Sequence, residues 1–226
     1  MKNRLLREES DAILLHFLFA LLCVSVLLIP NMRIGVKLFI LVAAYNVAVP
    51  LAGTLRGHAS WRDIWLFSLV VSIFQVFPDW FLSDVLGVLV FPEDGFPKIG
   101  TVSGYMAGLW TIPVFIIVYA GTRVRERHSP GAGYLAAALL ALAIFVGSEA
   151  TVWMLPSWYA RDVLMAGHVA VYIIIPEIIL GIACLYAYVT RRGSGLPAKT
   201  FAAFIVMQLY LGSAVFFYFL IERVIR

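Results

Sequence analysis

Apolar stretches of about 20 residues recur along this chain from end to end, and no other feature restricts its fold as much. A stretch of that length crosses roughly 30 Å of hydrocarbon as one α-helix. Backbone amides have no water to bond in a bilayer, so an open chain satisfies them there only by being helical. The candidate spans are residues 12–29, 34–54, 64–77, 105–121, 134–155, 163–189 and 201–221. Between them lie short segments rich in Pro, Gly and charge, such as "GTLRGHAS", "RERHSPGAG" and "RRGSGLPAK". The expectation is an all-α, polytopic membrane protein of seven transmembrane helices, forming a single domain over residues 1–226.

Composition agrees with that architecture. Of the 226 residues 62% are hydrophobic and 13% charged, whereas soluble domains carry about a quarter of their residues charged. The net charge of +4 sits in short loops, as membrane topology requires, and does not argue for nucleic acid as a partner. The first apolar run is longer than a signal-peptide core and lacks a small-residue exit, so it reads as the first membrane helix. With seven spans, 11 of the 17 Lys and Arg residues fall on the face of the N-terminus, among them Lys2, Arg4, Arg56, Arg123 and Arg192. The other six, including Arg161 and Arg226, fall on the opposite face. The positive-inside rule then puts the N-terminus in the cytoplasm, for a chain in the cytoplasmic membrane of a prokaryote or an endoplasmic-reticulum-type membrane.

A charged side chain within a span costs about 2.5 to 3.5 kcal/mol on insertion scales, so each one suggests a function. Glu149 lies in the outer third of the fifth span and Glu177 near the middle of the sixth. Asp79 and Asp84 stand at the outer end of the third, where Pro78 reads as a break. Ser68, Ser72, Gln75 and Asp79 share one face of the third span, a polar stripe that must avoid lipid. Glu149 and Trp153 are i,i+4 neighbours, as are His168 and Tyr172. Glu177 is half a turn out of phase with His168, so those two need not face one cavity. Trp80, Trp110, Trp153 and Trp158 fall in the outer half. Trp158 and Trp61 read as interfacial belt residues, while Trp110 and Trp153 serve either as pocket wall or as lipid anchor. Structural alternatives stand beside each acid. Asp79 caps a helix or pairs with Arg161, Glu149 and Glu177 hydrogen-bond between helices, and Glu93 and Asp94 are solvated loop charge.

Several chemistries lack their residues. No H-x-x-x-H, paired Cys or His cluster offers a metal site, and Cys23 and Cys184 lie singly in apolar runs. No P-loop, dinucleotide fingerprint or G-x-S-x-G is present. The seventh span has no lysine for a retinal-type Schiff base. No cofactor is expected, and nothing sets an oligomeric state. Carboxyl groups and aromatic rings remain. A desolvated carboxyl can hold a proton and deliver it, and aromatic faces stabilise a cation. Together they suit protonation of an alkene or epoxide in a lipophilic isoprenoid that arrives laterally from the bilayer. The same parts suit a small proton-coupled transporter or a non-enzymatic binding subunit, the latter using Gly104 and Gly108 as a helix-packing face.

The segment "DVLGVLVFPEDGFPKIG", Asp84 to Gly100, followed by "YMAGLW", resembles the corresponding part of the small integral-membrane lycopene cyclases. In size, helix number and intramembrane acids the chain is also similar to membrane-bound meroterpenoid cyclases. The resemblance implies an enzyme of the isomerase or lyase class, in carotenoid or other isoprenoid biosynthesis, that uses acids to protonate its substrate. Such lycopene cyclases carry Pro-x-Glu-Glu at the start of the next helix, where this chain has "TVSGYMAGLW" without an acid. The proton donor would therefore come from Asp79, Glu149, Asp84 or Glu177, with Trp80, Trp110, Trp153, His168, Tyr172 and Gln75 contacting the substrate.

Overall fold

A computed structural model describes residues 2–225, with side chains from Arg7 onward. The side chains of Lys2 and Arg4, and Arg226, all counted above for orientation, lie outside the described residues. Seven helices are long and apolar enough to cross a membrane, and the chain is an all-α integral membrane protein. They are α1 (Lys2–Leu27), α2 (Ile34–Leu55), α3 (Ala59–Trp80), α5 (Thr111–Arg127) preceded by the single turn α4 (Met106–Leu109), α6 (Pro130–Val152), α7 (Val171–Arg191) and α8 (Leu196–Phe219). Local chemistry sets the ends. Ser129 Oγ accepts from the Ala132 amide at 3.1 Å with Pro130 in the first turn of α6, the N-cap arrangement that satisfies an otherwise orphaned donor.

Helix α3 occupies the centre, packing on α2, α5 and α8, while α5, α6, α7 and α8 form the remainder of the bundle and α1 leans on α2. Close contacts rest on small residues. A Cβ on Gly181 of α7 would stand 2.5 Å from Ala141 Cβ of α6, and one on Gly133 would stand 2.9 Å from the Gly121 carbonyl of α5. The expected partner-binding face of Gly104 and Gly108 is used internally instead. Gly104 abuts the Pro97 carbonyl and Gly108 abuts Val42 and Asn46 of α2.

Three local expectations are corrected. Pro78 does not break the third span, because α3 runs through it and widens into a π-helical turn, Phe81–Val85. Residues 163–170 are not helical. They form the hairpin β5 (Met165–Ala166) with β6 (Val169–Ala170), turning at Gly167 with φ 64°, and the sixth span starts at Val171. Trp61 is no belt residue: it is 1% exposed, edge-on to Phe115 and Tyr119.

The face bearing the N-terminus is held by ion pairs. Glu8 pairs with Arg123 at 2.5 Å, Arg192 with Glu126 at 2.6 Å, Asp11 with both Arg56 and His58, and the buried Lys199 with Asp63. The opposite face is roofed by loops. Strand β1 (Leu89–Val90) pairs with β4 (Tyr159–Ala160), Arg161 donates to the Gly87 carbonyl at 3.1 Å, and β2 (Lys98–Ile99) pairs with β3 (Val102–Ser103). Asp94 organises this roof. Its carboxylate accepts from Ser103 Oγ at 2.7 Å and from the Phe96 amide at 2.9 Å, and its carbonyl accepts from the Gly35 amide. It is 4% exposed, so the reading of Asp94 as solvated loop charge is corrected. Glu93 keeps that role, pairing with Lys98 at 2.8 Å in the open.

Candidate functional site

Beneath the roof lies a cavity of about 250 Å³. Asp79 enters it from α3, Glu149 from α6 and Glu177 from α7, beside Trp110, Trp158, Tyr172 and Tyr210. The rest of the lining is almost entirely aliphatic or Phe, and no Lys, Arg or His is among the described residues that form it. Glu177 is within electrostatic reach of both other acids. Three carboxyl groups from three helices thus share one apolar chamber with no cation to offset them.

Each acid is held differently. Asp79, 2% exposed, accepts at Oδ2 from the Trp110 indole N–H at 3.0 Å. Trp110 is in turn fixed by ring contacts to Phe145 and Tyr210. Glu149 is half-buried, and its Oε1 accepts from the Trp158 indole at 3.3 Å. Glu177 is 5% exposed, and its buried Oε2 has no hydrogen-bond partner among the described residues. Indole N–H groups are donors only, so each of these two carboxyls accepts one bond at one oxygen, and the indole makes no claim on the other. Asp79 does not pair with Arg161, whose guanidinium is taken by the Gly87 carbonyl.

The polar stripe of α3 is buried throughout, with Ser68, Ser72 and Gln75 at 0% exposure. Of these only Asp79 reaches the cavity. Gln75 lies one turn away with both amide atoms unpartnered among the described residues, an arrangement that ordinarily signals an ordered water. Several residues expected at the site are elsewhere. Asp84 is exposed on the π turn and is not among the residues that line the cavity. Trp80 packs on Phe77 and over Gly100, against the β2–β3 turn. Trp153 ends α6 at 57% exposure and stacks on His168 at 4.8 Å. His168 leaves the site because its segment is a hairpin and not a helix.

Of the expected set, Asp79, Glu149, Glu177, Trp110 and Tyr172 converge. Trp158, read from sequence as a belt residue, lines the chamber and orients Glu149. Tyr210 was not visible as a site residue. Its one signal is a tyrosine in mid-span of a membrane helix, where the hydroxyl needs a polar neighbour. Among the described residues no cluster of His, Cys, Asp or Glu is arranged to hold a metal ion.

No curated protein and no solved structure matches the chain. A family model does match, over residues 76–221, a stretch that begins one turn before Asp79 and contains every residue lining the cavity. The chain belongs to the family described as a domain of unknown function, DUF6989.

Proposed function

We propose that this protein is an integral-membrane enzyme that cyclises or isomerises a neutral isoprenoid lipid by protonating it. The observation that carries the reading is the convergence of Asp79, Glu149 and Glu177, from three helices, on one aromatic-walled chamber without a basic residue. Asp79 is the proton donor: Trp110 fixes Oδ2 and leaves Oδ1 to carry the proton toward an alkene or epoxide. The cation that forms is stabilised by the faces of Trp110, Trp158, Tyr172 and Tyr210. Glu149, oriented by Trp158, accepts the proton that the cation loses, and transfer between the acids restores Asp79. Substrate and product are isomers, and no oxidant or reductant is consumed. The missing cations argue against a diphosphate group bound in the chamber, since phosphate recognition uses Arg, Lys or metal.

The reading places the N-terminal face in the cytoplasm, supported by its 11 of 17 basic residues, in a prokaryotic cytoplasmic membrane or an endoplasmic-reticulum-type membrane. The likeness of the Asp84 to Gly100 segment to lycopene cyclases supports the isoprenoid class. The test is lipid extraction and mass spectrometry from cells that supply isoprenoid precursors and express the native chain, Asp79→Asn or Glu149→Gln. A product present with the native chain and lost in both variants is expected. Identical lipid profiles across all three would refute the proposal.

A further inference from the structure

Helix α6 presents one buried face to α5 and α7, and that face has a window in it. Ala137 and Ala141 lie on it at 0% exposure, close against Gly181 of α7. Ser148 follows Ala141 by seven residues and Ala137 by eleven, so helical geometry returns it to the same face within about 20°. Yet Ser148 is exposed, while Val152, one turn further on, is buried again at 7%. A frayed helix end would not rebury Val152, so the neighbouring helix stands off locally. Across the gap, Ile112, Pro113 and Ile116 of α5 are half-buried and line the chamber, as do Ile144 and Ser148 of α6. On the α7 side the lining residues Tyr172, Ile173 and Glu177 are all buried. The opening therefore lies between α5 and α6, which are pressed together near the other face at Gly121 and Gly133.

We propose that this α5–α6 window is the lateral access route by which an uncharged, chain-like lipid enters the carboxyl chamber from the hydrocarbon layer. From Phe145, still buried at 5% exposure, to Val152 it extends about 10 Å along the helix. Its rim carries no charge, and the Ser148 hydroxyl is spent on the Ile144 carbonyl at 2.7 Å, so the rim neither holds a headgroup nor admits ions. Glu149 follows Ser148 directly and is the first acid an incoming chain meets. The inference rests on the reading above only for the identity of the lipid.

Its test needs no substrate. The full-length protein in phosphatidylcholine vesicles is treated with lipid-soluble dicyclohexylcarbodiimide or with a water-soluble carbodiimide, and adducts on Asp79, Glu149 and Glu177 are measured by peptide mass spectrometry. The lipid-soluble reagent is expected to modify Glu149 at least tenfold faster than the water-soluble one. Ser148→Trp is expected to slow that modification at least tenfold, and Ser148→Leu, a milder plug, to slow it measurably. Leu139→Trp, on the lipid-facing side at 56% exposure, leaves it unchanged. Equal labelling by both reagents, no labelling of the native protein, or labelling unaffected by Ser148→Leu would overturn the proposal. A blank in the isoprenoid assay leaves these labelling results intact, so the two readings fail separately.

Discussion

Replacing Asp94 by alanine tests whether the roof of the chamber hangs on one buried carboxylate. Asp94 accepts two hydrogen bonds through its side chain, from Ser103 Oγ and the Phe96 amide, and stands at 4% exposure. Bonds to a charged group contribute about 1.5 to 3 kcal/mol each. The pair gives about 3 kcal/mol at the lower end, the relevant end for a loop into which water can follow. The loss falls on local opening of the 86–105 loop, because both bonds close within it. Lys98 provides the reporter, being held closed by bonds to the Phe91 carbonyl and Glu93. Trypsin in detergent solution cuts after it only when the loop opens, and where reclosing is fast the rate follows the open population. At 1.4 kcal/mol per tenfold, Asp94→Ala is expected to accelerate that cut about 100-fold. Glu93→Ala removes an exposed ion pair worth about 0 to 1 kcal/mol, an acceleration under about fivefold. The reasoning fails if the two variants are cut equally fast, or if Asp94→Ala stays within threefold of the native protein.

Two further outcomes are expected. Asp63→Asn leaves the 4%-exposed Lys199 without its anion and costs about 3 to 5 kcal/mol in detergent unfolding, most of it recovered when Lys199→Met is added; an unchanged midpoint in Asp63→Asn would contradict the assignment. Glu177→Leu removes a buried oxygen that has no partner among the described residues, so unfolding stability is expected to hold or rise by about 1 to 2 kcal/mol while product formation is lost. A marked drop in stability would instead make Glu177 a structural residue.

The seven spans were readable because length and apolarity are properties of each segment alone, and hydrocarbon forces such segments to be helical. The stripe Ser68, Ser72, Gln75 and Asp79 was readable for the same reason, since periodicity within one helix needs no partner. What could not be read was rotation between helices. Spacing compares residues only within a span, so it could set Glu177 against His168 but not against Glu149, and the close approach at Gly181 and Ala141 brings α6 and α7 together. His168 was misplaced because "VLMAGHVA" holds no proline or charge to interrupt an apolar run, and its turn depends on Gly167 alone. Asp94 had a legible signal in Asp94-Gly95-Phe96, since Asp side chains bond the backbone two residues on, which is the bond observed.

Packing energetics also bear on why the acids are there. Three intramembrane carboxyls at about 2.5 to 3.5 kcal/mol each come to roughly 8 to 10 kcal/mol, as large as the whole stability of many folded domains. A structural role as interhelical glue should return that cost in hydrogen bonds. Asp79 and Glu149 recover one indole bond apiece, and Glu177 recovers none at Oε2 among the described residues. Asp79 and Glu177 each follow a proline, Pro78 and Pro176, which offers no N–H to the carbonyl four residues back. Both helices are thus weakened beside the acid they carry. A bundle selected for stability alone would fill this chamber with leucine. Acids left under-bonded in an apolar chamber are what the proposed proton transfer would use.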